Sequence, residues 1–193
     1  MNTNTIVPAR RRKHGRCRKI DHSPWESCLN IRDASAADAA DIVAIYNHYI
    51  LTTTISFEEE SVSADTMAGR IADIQGGGHP FLVLTEGDTL VGYAYATKWR
   101  ARRAYRFAVE SSVYLQPGNG GKGHGAALYT ALLARLADDG FHMVIGGIAQ
   151  PNPASVALHE KFGFRKVAHF SDSGFKFGRW IDVGYWELKL KDA

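Results

Sequence analysis

The sequence predicts an α/β domain (α+β in its segregation of hairpins from helices), with a mixed, mostly antiparallel central sheet flanked by helices. Three observations point there. Short β-branched runs bounded by glycine or proline read as strands, and longer stretches with apolar residues at helical spacing read as helices. The two patterns interleave along the chain, and several strand runs are joined by hairpin-length turns. At 193 residues and 45% hydrophobic content, the chain suits one domain with a sizeable core.

Regular patterning begins at Leu29. Residues 29–32 read as a strand, and residues 33–37 supply helix-start chemistry before the periodic Ala39, Ile42, Val43, Ile45 and Tyr46. A second helix is expected over residues 63–74, capped by Ser63 and ended by Gly76-Gly77-Gly78. Residues 81–86, the Gly87-Asp88 turn and residues 89–96 read as a hairpin. Residues 105–115 follow as a strand, then a glycine-dense turn, then a helix over 123–138 closed by Gly140. Residues 143–149 read as a strand and 153–162 as a helix stopped by Gly163. Two last strands, 165–169 and 181–190, are expected around a turn-rich segment holding Gly174 and Gly178. The expected order is β-α-α-β-β-β-α-β-α-β-β, without internal repeats.

The net charge of +3 belongs to one end of the chain. Residues 1–29 carry seven basic side chains against Asp21 and Glu26, while the rest carries 16 basic and 18 acidic ones. Residues 1–28 therefore read as a basic, disordered extension preceding a domain over 29–193. A nucleic-acid arm, an Arg-rich targeting peptide or an over-extended start are the other readings of that tail. The body has no general basic surface, so nucleic acid is not an expected partner. No apolar run approaches the ~20 residues that cross a bilayer, and no secretory signal is visible. Cys17 and Cys28, with His14 and His22, match no common zinc spacing, so no metal is expected. Two such cysteines make no disulfide framework, which suits a cytoplasmic protein.

The chemistry concentrates in residues 112–128, where a strand stops at Pro117, passes Gly118, Gly120, Gly121, Gly123 and Gly125, and enters a helix. Backbone N–H groups and the helix dipole favour phosphate at such a junction. A nucleotide-bearing cofactor follows. A dinucleotide fold would place this loop after the first strand, and a P-loop would follow Lys122 with Ser or Thr where Gly123 stands.

The loop Gly120-Gly121-Lys122-Gly123-His124-Gly125 resembles the pyrophosphate loop of the GNAT superfamily of acetyl-CoA-dependent N-acetyltransferases, with Gly120 where Arg or Gln usually stands. Asn152-Pro-Ala-Ser155-Val-Ala-Leu158-His159-Glu160-Lys161-Phe162-Gly163-Phe164 resembles that superfamily's second cofactor motif. Lys98-Trp99-Arg100-Ala-Arg102-Arg103-Ala-Tyr105-Arg106, Val109-Glu110-Ser111-Ser112-Val113-Tyr114 and Gly174-Phe175-Lys176-Phe177-Gly178-Arg179-Trp180 are similar to phosphinothricin and methionine sulfoximine N-acetyltransferases. The similarity runs from about Ile31 to Leu190. Phe177 stands where the phosphinothricin enzymes often have His, which leans toward the methionine sulfoximine branch.

The resemblance implies the GNAT fold, acetyl-CoA as cosubstrate, no metal, and a homodimer with the site near its interface. It places Glu110 and His159 as the catalytic pair. Val113, Tyr114, Leu115, Gly121, Lys122, Gly123, His124, Gly125, Ala126, Asn152, Ser155 and Lys161 fall at cofactor positions. Backbone groups of Val113 and Leu115 would run beside pantetheine like an added strand. Arg100, Arg102, Glu110, Ser111 and Asn152 fall at acceptor positions. The implied activity acetylates the α-amine of a glutamate-like amino acid: phosphinothricin, methionine sulfoximine or methionine sulfone.

The residue types fit this chemistry. An ammonium must lose its proton before attacking a thioester, and a half-buried carboxylate can take it. Glu110 interrupts an apolar β-run, so burial would raise its pKa; its bland alternative is an outward-facing strand glutamate. His159 titrates near neutrality and could act as base, acid or orienter; its bland alternative is a surface histidine. Arg100, Arg102, Arg103 and Arg106 could recognise an anionic amino acid, though at least two should merely be solvated. Trp99, Tyr105, Phe175 and Trp180 read as core or dimer-contact aromatics. Acetylation of a protein N-terminus or another small amine, and non-catalytic acetyl-CoA sensing, remain the rival functions.

Overall fold

A computed structural model describes residues 29–190. The expectations for residues 1–28, including Cys17, Cys28, His14 and His22, fall outside the described residues.

The elements are β1 (Leu29–Asp33), α1 (Ala39–Thr52), α2 (Ala64–Gly76), β2 (Phe81–Glu86), β3 (Thr89–Lys98), β4 (Ala108–Leu115), α3 (His124–Asp138), β5 (Met143–Ala149), α4 (Pro153–Lys161), β6 (Arg165–Lys176) and β7 (Arg179–Lys189). Seven strands form one sheet in the order β1-β2-β3-β4-β5-β7-β6. Every neighbouring pair is antiparallel except β4 with β5.

Helices cover both faces. Leu82 and Leu84 of β2 pack with Leu128, Leu132 and Leu136 of α3, while Phe81 and Val83 pack with Ile42 and Ile45 of α1 and Ile71 of α2. Successive strand side chains point to opposite faces, which is why β2 reads as a continuous apolar run rather than an alternating one. Burying a Leu or Ile side chain contributes roughly 1.5–3 kcal/mol.

The helix starts follow their caps. Ser63 Oγ accepts the Thr66 N–H at 3.1 Å, and Asn152 Oδ1 accepts the Ser155 N–H at 3.1 Å with Pro153 next in line. Ahead of α1, the Asp38 carboxylate accepts from Arg32, from the Ser35 N–H and from the Ser35 hydroxyl. The Arg32 guanidinium is the main cause holding its pKa down to about 2.

Two boundaries differ from expectation. Residues 103–105 form a 3-10 turn, so β4 begins at Ala108 and not at Tyr105. The late strands extend through the segment expected to be turn-rich, making β6 and β7 a long hairpin arm. Its tight turn is Phe177-Gly178, with φ of 51° and 72°, the handedness that matches strand twist. Gly174 is no turn residue. A Cβ there would lie 2.5 Å from the Phe57 ring, so this glycine is a seat for a side chain from the α1–α2 connection.

The feature that builds the site is a splay. β4 pairs with β5 only over Ala108–Glu110 and Met143–Ile145, yet both strands continue. Beyond Glu110 they diverge, leaving a wedge that opens toward the glycine loop and α4.

Candidate active site

A groove of about 710 Å³ follows the wedge, walled by Val113, Tyr114, Leu115 and Gln116 on one side and by Asn152, Ser155, Leu158 and Lys161 on the other. Its end is the glycine loop, where Gly118, Gly121 and Gly123 hold φ of 83°, 78° and 87°. L-residues rarely adopt that conformation, and each of these positions faces open space. Gly125 and Ala126, in the first turn of α3, complete the lining. The loop end of the groove is therefore backbone and small side chains, as a bulky phosphate group requires.

Along β4 the odd-numbered residues aim their backbone groups away from β3. Gln116 N–H donates to Val91 on β3, while Phe107 C=O accepts from His142 and Met143 on the β5 side. By alternation, the Ser111 C=O and the N–H and C=O groups of Val113 and Leu115 face the wedge, the Ser111 N–H being the last β4 donor in the ladder with β5. The Leu115 carbonyl is already taken by the Tyr49 hydroxyl at 2.7 Å. Val113 is thus the position best placed for strand-like pairing with a guest.

Glu110 stands at the apex, the last residue of β4 paired with β5. Its side chain is half-buried, and no hydrogen bond to its carboxylate is formed among the described residues. Burial pushes its pKa up, and the charge of Arg100 pulls it partly back. Gly147 of β5 leaves room for it, since a Cβ there would lie 2.8 Å from Glu110 Oε1 and 3.2 Å from the Tyr185 ring. Trp99 packs edge-on against Tyr185 at 5.6 Å and carries the Arg100 guanidinium 4.4 Å above its ring. Phe170 of the arm meets the same Tyr185 ring at 5.6 Å.

His159 is not beside Glu110, the other residue expected to be catalytic. A Cβ on Gly146 would run into the His159 ring, whereas one on Gly147 would meet Glu110. Neighbouring strand residues face opposite sides, so β5 separates the two groups. The imidazole is buried at 4% exposure, and burial lowers its pKa. Its Nδ1 lies 2.8 Å from the Ser155 carbonyl and its Nε2 2.7 Å from the Tyr129 hydroxyl. The surface-histidine alternative does not describe it.

Ser111 is likewise turned away from the acceptor position expected for it. Its hydroxyl is buried against Tyr129 at 3.1 Å and the Ile145 carbonyl at 3.3 Å, on the α3 face. Arg102 is exposed and makes no side-chain hydrogen bond among the described residues, and Arg106 lies over Phe107. Of the arginine cluster, only Arg100 is in electrostatic contact with Glu110. Lys122 is outside the groove, its Nζ bonded to Asn119. The His124 side chain is buried, and its Nδ1 finds no hydrogen-bond partner among the described residues; only its backbone is available to the loop. Tyr105, Phe175 and Trp180 are exposed rather than core, and Trp99 packs beside Tyr185.

Sequence reasoning missed Tyr49, Tyr129, Tyr185 and the Gly146-Gly147 pair. The glycine doublet inside a β-run was the one local signal available, since glycine in a strand marks a close approach. The tyrosines lie 19 to 75 positions from Glu110 and carried no signal of their own.

Residues 31–184 match the acetyltransferase (GNAT) domain, and the chain belongs to that family of acetyltransferases. It is 36% identical over 170 residues to the phosphinothricin N-acetyltransferase of Streptomyces coelicolor, covering 86% of this chain and 99% of that one. It is 37% identical over 164 residues to an L-methionine sulfoximine/L-methionine sulfone acetyltransferase of Salmonella typhimurium, covering 85% and 96%. The structure of a phosphinothricin acetyltransferase from Sinorhizobium meliloti in complex with acetyl-CoA aligns with a TM-score of 0.81 at 40% identity, covering 84% of this chain and 88% of that one. Acetyl-CoA is the cosubstrate, and the groove with its left-handed glycine loop fits its pantetheine arm and pyrophosphate. No helix among the described residues is long and apolar enough to cross a membrane.

Proposed function

We propose that this acetyltransferase acetylates the α-amine of a small glutamate-like amino acid, with methionine sulfoximine, methionine sulfone and phosphinothricin as acceptors. Acetyl-CoA supplies the acetyl group as an activated thioester. The backbone of Val113, the amides of Gly121 to Ala126, and Asn152, Ser155 and Lys161 would hold it. Glu110 takes the proton from the acceptor ammonium, directly or through one water. Arg100 attracts the acceptor carboxylate, and its charge opposes the rise that burial gives the Glu110 pKa. Orientation of amine against thioester contributes most of the rate.

The observation carrying this reading is the position of Glu110: half-buried, without a hydrogen-bond partner among the described residues, at the point where the strands part. The names of the relatives support the acceptor class. The test is thiol release from acetyl-CoA with each of the three amino acids, for wild type and Glu110→Gln. The variant should lose about 10²- to 10⁴-fold in kcat while still binding CoA. Equal rates would remove Glu110 from the mechanism. CoA binding without thiol release for any small amine would make the protein a sensor, and release only with peptide N-termini would move the acceptor class.

The hairpin arm supports a homodimer. Phe170, Phe175, Phe177 and Trp180 are all exposed on β6, β7 and their turn, and Phe175 meets Trp180 edge-on at 5.0 Å. Apolar clusters of this kind are covered in oligomers more often than left in water.

A further inference from the structure

Ser111, Tyr129, His159 and Ser155 form one buried polar chain that crosses from β4 to α4 behind the wedge. Its direction can be read from the donors. The Ser155 carbonyl only accepts, so His159 Nδ1 carries the proton that reaches it at 2.8 Å. The neutral ring then offers Nε2 as an acceptor, and the Tyr129 hydroxyl donates to it at 2.7 Å. The Ser111 hydroxyl lies between the Tyr129 oxygen and the Ile145 carbonyl.

The two ends of this chain are the two walls of the groove. At one end, backbone pairing of β4 with β5 stops at Glu110 and Ile145, and the next side chain, Ser111, takes the Ile145 carbonyl. That carbonyl is where the β4–β5 ladder ends, so the Ser111 hydroxyl fastens the two strands at the point beyond which they part. At the other end, Ser155 lines the groove from α4 and accepts from His159. Gly146 admits the imidazole against β5, where a Cβ would exclude it. Tyr129 is the keystone, fully buried on α3, with Phe162 and Phe164 rings at 5.6 and 5.9 Å.

We propose that Tyr129 is a positioning residue: with Ser111 and His159 it sets the separation of the groove walls at the apex, and so the placement of the acetyl-thioester against Glu110. This rests on the reading of the groove as the acetyl-CoA site. It assigns His159 a structural proton, held by Ser155, instead of a proton exchanged with the reactants.

The experiment compares wild type with Tyr129→Phe, Ser111→Ala and His159→Gln. Leu136→Val serves as a stability control, a core trim in the last turn of α3 away from the groove. CoA binding is titrated calorimetrically well below each melting temperature, and kcat, both KM values and the pH–rate profile are measured with methionine sulfoximine. Tyr129→Phe should weaken CoA binding several-fold and lower kcat about ten-fold or more, because small misplacements of the reactants are costly. Its KM for the amino acid and the acidic limb of its profile should stay at wild-type values. Ser111→Ala should behave alike, and the double variant should be no worse than either single one, since both break the same chain. Leu136→Val should lower the melting temperature without moving CoA affinity or kcat. Wild-type CoA affinity and kcat in Tyr129→Phe overturn the proposal. So does a pH limb that vanishes in His159→Gln alone, which marks the imidazole as a reacting acid or base. Absence of thiol release from wild type would defeat the acceptor reading only, and the CoA titrations would still decide the role of Tyr129.

Discussion

Glu110 combines two environments in one side chain. Burial raises its pKa and Arg100 opposes the rise, so the balance of the two sets where the carboxylate becomes a base. A base works only when deprotonated, so kcat/KM should climb with pH through the Glu110 pKa, above the ~4.3 of an ordinary glutamate. Replacing Arg100 with Gln removes the charge that pulls this pKa down. The acidic limb of the kcat/KM profile should therefore move to higher pH in Arg100→Gln, and a limb that stays in place would detach Arg100 from Glu110. The cofactor end offers a gain-of-function test. Gly120 lines the groove, faces open space and holds no left-handed φ, so a longer residue fits its backbone. Gly120→Arg should lower the KM for acetyl-CoA about two- to five-fold through an exposed phosphate contact, with the gain shrinking as salt is added.

At the scale of elements, β5 shows how two identical neighbours can serve opposite faces. Gly146 admits His159 toward α4, and Gly147 admits Glu110 toward the acceptor side. Alanine at each should give different phenotypes. Gly147→Ala should displace the carboxylate and cost about ten-fold or more in kcat with little change in melting temperature, because the position is exposed. Gly146→Ala should cost stability, about 1–3 kcal/mol by thermal or urea unfolding, because it overpacks a buried ring. The reverse assignment of phenotypes would mean that the faces are misread. Both glycines are visible in the sequence as a doublet inside a strand. Which contact each one permits is not visible, because Glu110 lies 36 positions before Gly146 and His159 13 after it.

For the whole molecule, the arm of β6 and β7 is the least satisfied surface, with Trp180 at 62% exposure and Phe177 at 58%. Lys176, fully buried, donates from Nζ to the Ser56 carbonyl at 2.6 Å and ties the arm back to the α1–α2 connection. Phe57 seats on Gly174 beside it. A partner covering the arm would therefore also bear on the connection whose Ile55 lines the groove. Trp180→Asp should shift the mass measured by light scattering from dimer to monomer, with little loss of melting temperature at low protein concentration. A wild-type protein that is monomeric at micromolar concentration removes the dimer reading.

The sequence by itself determined the α/β class, nearly every element, the Ser63 cap of α2, the Gly163 stop of α4, and the glycine loop as the cofactor end. These are local properties: period of apolar residues, cap chemistry and backbone freedom all act within one or two turns of chain. It also singled out Glu110, since a carboxylate inside an apolar strand is legible as an anomaly. Tertiary structure alone decided where β4 and β5 part, and with that which side chains share a face. Ser111 and His159 were expected at the chemistry and are instead bonded to each other through Tyr129, behind it. A strand's two faces are equivalent in sequence until the packed partners on each side are known, and here those partners come from three separate elements.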